Sequence, residues 1–547
     1  MEGGIADAGN SPADEEQIQI RESSLRAHVL VIPLSIISVS HVTSAVLLSA
    51  KLAKQDITVT IFTDRYMLPH IHSLHSPEAL QSLDIRLAIM DHDESERELH
   101  EDWSRPFKDS YDVMRAAEPY FQNMASARSS GAAGLPTCVI ADMFCLWAQK
   151  LSHEQNLPCY AYFPSGANFA RLLQAFPALI SEGRLRVGEN GKFIKSKQTI
   201  TVPGLPPLLD IELPNSTKIN PVSVTAKAGL DLSKNLPCYA YFPSGANFAR
   251  LLQAFPALIS EGGLGVGENG KFIKSKHTVS VTAKAGLDLS KVNGVIINTF
   301  YELESHAIEA FLQACDPTLH VPKVFTIGPL AAARTEAAAR EGEREECLEW
   351  LDRQPVSSVV YICYGSMAKW TAESLRELAL ALEASQCRFL WVLYQESGDD
   401  LVHALPAQFL ERVGQRGRVV TYWVPQVQII QHQALSCFMS HCGWNSTVES
   451  ISGGVPMLCL PLGAEQNLNC RHIVDVVKVG IQVKVGDDGV PKQKDIENAL
   501  QLMMEEEEGK MIRQRVLELK SMAAAAAVPG GSSSTSFQEL INDLKCT

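Results

Sequence analysis

The sequence predicts an α/β protein with two doubly wound, Rossmann-like domains. Apolar runs at 28–33 and 57–62 flank a helical stretch at 42–54, and this strand–helix–strand order is typical of a parallel βαβ unit. A second series of the same kind begins with a strand and tight turn at 359–366 and continues to a strand at 389–393. The chain has 547 residues, which suits two large domains better than one.

The composition is that of a folded protein with a substantial apolar core, since 46% of the residues are hydrophobic. The net charge of −14 and the pI of about 5.6 argue against nucleic acid or an anionic membrane surface as a partner. No apolar run reaches the roughly 18 residues of a membrane-spanning helix. The acidic amino terminus lacks the apolar region of a signal peptide, so we expect a cytoplasmic protein with a disordered tail at 1–26.

The 13 cysteines are scattered along the sequence and include no CxxC pair. Such a distribution is typical of reduced thiols rather than of a disulfide framework or a zinc site. We therefore expect no metal and no cofactor.

The stretch 423–466 carries the densest set of candidate binding residues. An apolar strand at 437–439 breaks at the turn 440–446, after which 447–452 has the pattern of a helix start. This arrangement predicts a phosphate cradle, because the unpaired N–H groups and the positive dipole end of a helix attract anions. A second apolar strand at 456–461 leads to a carboxylate and an amide that suit sugar hydroxyls. Each piece alone also has an ordinary structural explanation, such as a capping box or a buried histidine.

Together, these pieces resemble the signature of plant family 1 UDP-glycosyltransferases. The match runs without a gap over 423–466 and includes the run His441-Cys-Gly-Trp-Asn-Ser446. Val424 replaces the usual Ala, and Glu465 stands where Asp is commoner. Glu465 keeps a carboxylate that can accept hydrogen bonds from hydroxyl groups, so neither change removes a group that sugar binding needs.

The resemblance implies the GT-B architecture, in which the two domains face each other across a cleft. It also implies that Trp423 stacks on uracil, that Gln426 and Glu449 hold the ribose, and that Glu465 and Gln466 hold the sugar. A Gln at the end of the signature accompanies glucose more than galactose. The predicted UDP-sugar-binding residues are Ser366, Trp423, Val424, Gln426, His441, Gly443, Trp444, Asn445, Ser446, Glu449, Glu465 and Gln466.

Two further residues are candidates for catalysis. His41 lies at the turn after the first strand, where ligands of parallel sheets bind, although a histidine there is also compatible with a structural role. Family members carry Gly-His at this turn, and here Ser40 replaces the Gly. Asp142 ends a later strand and also suits the N-cap of the next helix. The resemblance implies that His41 is the general base and that Asp142 orients it, in an inverting reaction without a metal.

The chain contains a near-exact internal duplication. Residues 235–291 repeat 156–234, and the second copy lacks the stretch around 203–207. Two copies without a third do not make a solenoid, so a recent segmental duplication or a gene-model error explains them better. The first sheet has room for one copy only, and we expect the other to lie outside it or to be poorly ordered.

The second copy also contains a dinucleotide-type GxGxxG string at 265–270. The string follows a helical segment rather than a strand, and we do not predict a dinucleotide site. A nucleotide-sugar-modifying Rossmann enzyme such as an epimerase would need this string after the first strand, which instead leads to PLSIISVSH at 33–41.

We therefore expect an acceptor-binding domain at 27–325, a UDP-sugar-binding domain at 326–530 and a helix at 531–547 that crosses back to the first domain. By the resemblance, the protein is a monomer that transfers glucose from UDP-glucose to a hydroxyl of a small hydrophobic plant metabolite, such as a flavonoid, phenolic or hormone. The alternative is a UDP-sugar-binding paralogue whose catalysis is impaired by the duplicated segment.

Overall fold

The computed structural model contains two separate parallel sheets, one of seven strands and one of six, in agreement with the predicted α/β class. The predicted tail at 1–26 lies outside the residues that the structure describes. Those residues are 27–34, 39–90, 106–130, 132, 134–185, 198–209, 213, 265–266, 272–273, 292–314, 322–330, 341–365, 371–393, 401–463, 465–486 and 489–546.

The seven-stranded sheet is built from residues before position 330. Its strands are β1 His28–Ile32, β2 Thr58–Asp64, β3 Ile85–Met90, β4 Cys138–Asp142, β5 Cys159–Phe163, β6 Gly294–Ile297 and β7 Lys323–Thr326. They are all parallel and lie in the order β7-β6-β5-β4-β1-β2-β3. The central strands β5, β4 and β1 are buried at every position, as expected where helices cover both faces of a parallel sheet.

Seven helices of the described residues accompany this sheet. They are α1 Val39–Ala53, α2 Leu68–Leu74, α3 Pro77–Ser82, α4 Pro106–Ser129, α5 Leu146–Glu154, α6 Ala167–Ser181 and α7 Tyr301–Gln313. Helix α1 is buried along most of its length, and His41 is the third residue of this helix. A small antiparallel pair, Thr199–Ile200 with Leu208–Leu209, lies between α6 and β6 in the chain.

The first copy of the duplicated segment supplies β5, which pairs with β4 on one side and β6 on the other. Of the second copy, the structure describes only Gly265–Val266 and Phe272–Ile273, which form a short antiparallel pair. The other residues of the second copy lie outside the residues that the structure describes, and so does the expectation that this copy stays outside the first sheet or is poorly ordered.

The six-stranded sheet is formed by residues after position 340. Its strands are β8 Val359–Cys363, β9 Arg388–Val392, β10 Gly417–Val420, β11 Leu435–Ser440, β12 Met457–Cys459 and β13 Gly480–Gln482. They are parallel and lie in the order β10-β9-β8-β11-β12-β13. Its helices are α8 Glu341–Asp352, α9 Ala372–Ala384, α10 Phe409–Val413, α11 Gln426–Ile430, α12 Trp444–Gly453, α13 Gln466–Arg471, α14 Gln493–Glu505, α15 Glu507–Ala527 and α16 Ser532–Cys546.

The last helix, α16, packs against the seven-stranded sheet although it follows the six-stranded one in the chain. Its buried residues Phe537 and Leu540 belong to the core that surrounds β1 and β2. Asp543 accepts a hydrogen bond from the Tyr160 hydroxyl at 2.7 Å and pairs with Lys323. These contacts tie the carboxyl terminus to the first sheet.

In the described part of the chain, no helix has both the length and the apolar character needed to cross a membrane.

Candidate active site

His41 and Asp142 meet at the carboxyl edge of the first sheet. His41 lies in the first turn of α1, and Asp142 is the last residue of β4, the strand beside β1. The His41 Nδ1 atom is 2.6 Å from Asp142 Oδ2, and the side chains are 18% and 1% exposed. Asp142 Oδ1 accepts the backbone N–H of Phe144 at 3.0 Å, which fixes the carboxylate. The second ring nitrogen of His41, Nε2, is therefore the one available to a substrate.

Burial and Asp142 act in opposite directions on the pKa of His41. Burial alone would lower the pKa of this imidazole, but the charge and hydrogen bond of Asp142 outweigh burial and raise the pKa above 6.5. Glu465, from the other half of the chain, raises it further by a smaller amount. Burial also raises the pKa of Glu465, and the positive charge of His41 opposes that change. His41 and Glu465, which come from the two halves of the chain, thus lie close enough to influence each other's pKa.

The turn after β11 forms an open helix N-terminus. Helix α12 starts directly after Gly443, and no side chain of the described residues caps it. Its first N–H groups, from Trp444 to Ser446, therefore have no partner within the helix. Cys442 has a φ of 65°, a left-handed conformation that turns the chain sharply into the helix. An anion at this position would meet both the N–H groups and the positive end of the helix dipole.

His441 packs its imidazole against two glycines, Gly443 of this turn and Gly365 of the segment after β8. A Cβ atom on Gly443 would lie 3.0 Å from His441 Cε1 and closer still to Nε2, and one on Gly365 would lie 3.1 Å from Cε1. Burial lowers the pKa of His441 to about 4. Its Nδ1 is buried and has no hydrogen-bond partner among the described residues. His441 is thus a neutral imidazole at ordinary pH.

The residues predicted to hold the ribose form one hydrogen-bonded group. The amide of Gln426 donates to Glu449 at 2.6 Å and to Ser446 at 3.2 Å, and its oxygen accepts the Tyr361 hydroxyl at 3.1 Å. These bonds join α11, α12 and β8. They fix the orientations of the Gln426 and Glu449 side chains relative to each other. A site that binds several hydroxyl groups requires such rigidity.

The remaining predicted donor-site residues surround this group. Trp423 lies edge-on to His70 of α2, with ring centroids 6.1 Å apart, and Val424 is buried behind it. Glu465 directly precedes α13. The Gln466 amide oxygen accepts the backbone N–H groups of Leu462 and Gly463 at 2.8 and 3.0 Å. The predicted residue Ser366 lies outside the described residues.

Asn298, which the sequence did not single out, joins the two halves of the site. Its backbone oxygen accepts the Trp444 indole N–H at 2.7 Å, and its side-chain amide donates to Asn445 at 3.4 Å. Asn445 in turn donates to the backbone oxygen of Ser40, beside His41, at 3.1 Å. Direct hydrogen bonds between the two halves of the chain therefore hold the turn after β11 next to His41. Asn298 follows the apolar strand β6, and this position at a strand end is the sequence feature that could have identified it.

Glu304 is a second functional candidate that the sequence did not identify. It is buried, and its carboxylate accepts the backbone N–H groups of Ala167 and Asn168 at 2.8 Å each, which caps α6. Burial raises the pKa of Glu304 to about 7, against the opposing effect of these hydrogen bonds. A Cβ on Gly166 would clash with both Glu304 and the Trp444 ring, so α6, α7 and α12 meet here closely.

Comparison with known proteins identifies the family. The family model described as UDP-glucoronosyl and UDP-glucosyl transferase matches residues 290–524. Phloretin 2'-O-glucosyltransferase from Malus domestica is 30% identical over 459 residues, which cover 80% of this chain and 82% of that protein. The chain belongs to the plant family 1 UDP-glycosyltransferases. The resemblance inferred from the signature is thus confirmed.

Solved structures of plant glycosyltransferases agree with this assignment. A UDP-glucosyltransferase from Polygonum tinctorium is 27% identical and superposes with a TM-score of 0.70, covering 95% of this chain and 99% of that one. A Medicago truncatula enzyme complexed with UDP-glucose is 23% identical, with a TM-score of 0.71 and coverage of 96% and 100%. The similarity to the Medicago truncatula enzyme concerns the fold alone, because the sequences are only 23% identical. It confirms the predicted GT-B-like fold class of this glycosyltransferase.

Proposed function

We propose that this UDP-glycosyltransferase moves glucose from UDP-glucose to a hydroxyl group of a small hydrophobic plant metabolite, with inversion at the anomeric carbon. The observation that carries the proposal is the His41–Asp142 pair at 2.6 Å, held beside the helix N-terminus that suits a diphosphate. In this assignment residues 27–325 bind the acceptor and 326–530 bind the donor.

His41 acts as the general base. Neutral His41 takes the proton of the acceptor hydroxyl on Nε2, while Asp142 holds the Nδ1–H and stabilises the imidazolium that forms. The acceptor oxygen bonds to the anomeric carbon as the bond from that carbon to the UDP oxygen breaks, and UDP leaves with the electron pair. The N-terminus of α12 stabilises the negative charge that develops on the departing diphosphate.

The donor lies along the carboxyl edge of the second sheet. Trp423 and Val424 flank uracil, and Gln426 with Glu449 accepts the ribose hydroxyls. His441, Gly443, Trp444, Asn445 and Ser446 surround the diphosphate, with Ser366 as a further contact. Glu465 and Gln466 hold the sugar hydroxyls, and the electrostatic interaction between Glu465 and His41 supports a sugar located between them.

An aromatic wall beside the base supports an aromatic acceptor. The Phe144 ring centroid is 6.0 Å from that of His41, and Phe169 lies 6.4 Å beyond Phe144. Flat rings pack well against such side chains. The similar Malus enzyme is named for phloretin, and the similar Polygonum enzyme is described as glucosylating indoxyl. We therefore propose flavonoids and simple phenolics as the first acceptors to test, in an enzyme that works as a cytoplasmic monomer.

The duplicated segment supports a second candidate, a paralogue that binds UDP-sugar without turnover. UDP release from UDP-glucose with a panel of flavonols and phenolics distinguishes the two. The full chain, the chain lacking 235–291 and His41→Ala in each should be compared. Turnover in both parent chains that is lost with His41→Ala supports the enzyme. Binding of UDP-glucose without turnover in either parent chain supports the binding protein, and turnover only after deletion identifies the segment as inhibitory.

A further inference from the structure

Three buried thiols lie close together at the turn 441–443 after β11, which we call the phosphate turn because it is the proposed site of the diphosphate. Cys442 lies in that turn, Cys459 ends β12 and Cys470 lies in α13, and their Sγ atoms are all within 4.8 Å of one another. Each residue is at most 1% exposed. Within the described ranges, no other set of three or more metal-ligating side chains comes so close together. The sequence predicted scattered thiols, because the three cysteines come from three different elements.

The geometry suits a three-coordinate, thiophilic centre. A central atom with bonds to sulfur of about 2.3 Å requires sulfur–sulfur separations of at most about 4 Å, so the three Sγ atoms, which lie within 4.8 Å of one another, need to move only slightly closer together. Structural zinc sites almost always have four ligands, and the group contains no histidine or carboxylate among the described residues to serve as a fourth. Soft sulfur ligands favour soft ions.

The surroundings favour a neutral complex. The three cysteines belong to a core with apolar neighbours such as Phe300 and Met457. A charged complex in such an environment is costly unless it is paired. Trivalent arsenic bound by three thiolates carries no net charge, whereas a divalent ion with the same ligands leaves one negative charge unbalanced.

We propose that Cys442, Cys459 and Cys470 form a binding site for trivalent arsenic, which enters as arsenous acid. Three S–H bonds and three As–O bonds break, three As–S bonds form and three water molecules leave. Arsenic remains trivalent throughout, so the reaction needs no oxidant or reductant.

Occupation of the site changes donor binding, a consequence that rests on the proposed function. Cys442 lies between His441 and Gly443, and its backbone oxygen accepts the side-chain amide of Asn469 in α13 at 2.9 Å. Drawing the three sulfurs together shifts the phosphate turn, the end of β12 and helix α13 at once. These are the segments assigned to the diphosphate and the sugar, so we expect arsenic to raise the KM for UDP-glucose several-fold and to leave the acceptor KM nearly unchanged.

Native mass spectrometry of the full chain after incubation with arsenite tests the site directly. The parent chain should gain one arsenic and lose three hydrogens, and a small dithiol should reverse the change. Cys459→Ala and Cys470→Ala should each abolish uptake, whereas Cys437→Ala, a buried thiol outside the cluster, should not. X-ray absorption spectroscopy of the parent protein at the arsenic edge should find three sulfur neighbours around arsenic. This result does not depend on the folding of any variant.

Absence of uptake by the parent chain, uptake that survives Cys470→Ala in a folded protein, or fewer than three sulfur neighbours would overturn the site. Uptake without a change in the KM for UDP-glucose would overturn its effect on the donor. If the protein binds arsenic but transfers no sugar before arsenic is added, the proposed function fails while the site remains.

Discussion

Two histidines lie beyond strand ends at the carboxyl edges of the two sheets, and they differ in almost every electrostatic respect. His41 follows β1 of the first sheet, and His441 follows β11 of the second. Asp142 lies 2.6 Å from His41, and the pKa of that imidazole is raised. His441 has a buried Nδ1 with no hydrogen-bond partner among the described residues, and its pKa is lowered to about 4. The partner of an imidazole, rather than its position at the end of a strand, decides whether it can serve as a base.

The largest effect is expected at His41 itself. His41→Ala removes the proposed base, so we predict a fall in kcat of about 10²- to 10⁴-fold, the usual contribution of general base catalysis. Binding of UDP, measured by calorimetry, should be nearly unchanged. His153→Ala, which alters an exposed histidine of α5, is the matched control and should leave kcat unchanged. A kcat for His41→Ala close to that of the parent protein would contradict the assignment.

The second effect concerns the pH dependence that Asp142 imposes. The neutral form of His41 is active, so kcat/KM should rise with pH through the raised pKa of His41, above 6.5. Asp142→Asn removes the charge that raises this pKa and leaves the burial that lowers it. The rising limb should therefore move to lower pH, while the maximal rate falls because the imidazolium is no longer stabilised. A pH–rate profile from pH about 5 to 9 measures both changes. A rising limb that does not move in Asp142→Asn would contradict the claim that Asp142 sets the pKa of the base.

The third effect tests the packing around His441. Gly443→Ala and Gly365→Ala each place a methyl group against the His441 imidazole. Gly365 also has a φ of 73°, so its substitution adds backbone strain. We expect each to cost about 1–3 kcal/mol of stability and to raise the KM for the donor more than that for the acceptor. Gly414→Ala has a comparable φ of 55° but open space around its Cβ, so it isolates the backbone strain. Equal donor KM values in all three variants would argue against His441 as part of the phosphate turn.

The smallest effect is on stability at acid pH. The folded-state pKa of His441 is below the unfolded value of 6.5, so its contribution to stability is complete above that value and is lost as pH falls towards about 4. His41 has the opposite sign, because its raised pKa stabilises the fold below 6.5 and this contribution is lost as pH rises through the folded-state pKa. His441→Gln should therefore flatten the fall in Tm between neutral and acid pH, and His41→Gln should not.

Local sequence patterns were sufficient to predict the fold class and the donor signature. Continuous apolar runs such as 28–33 identified buried parallel strands. The signature at 423–466 predicted a strand, a turn and a helix in the observed order, but α12 begins at Trp444 rather than at the predicted position 447. The His41–Asp142 pairing came from the resemblance, and the structure brings the two atoms together.

The contacts that the sequence could not supply are those between distant segments. Trp444 and Asn298 bond across 146 positions, and Cys442, Cys459 and Cys470 converge from a turn, a strand and a helix. No local pattern encodes such meetings, because they depend on strand order and on how the two sheets pack. The same holds for Glu304, whose buried carboxylate is explained only once α6 is in place.

A titration of the two histidines by nuclear magnetic resonance, with histidine labelled at its ring nitrogens, tests the contrast most directly. His41→Gln and His441→Gln assign the two resonances. We predict that His41 titrates above pH 6.5 with its proton held on Nδ1, and that His441 remains neutral down to a pH of about 4. A His41 that titrates at or below 6.5, or a His441 that titrates alongside it, would contradict the division of roles between the two sheets.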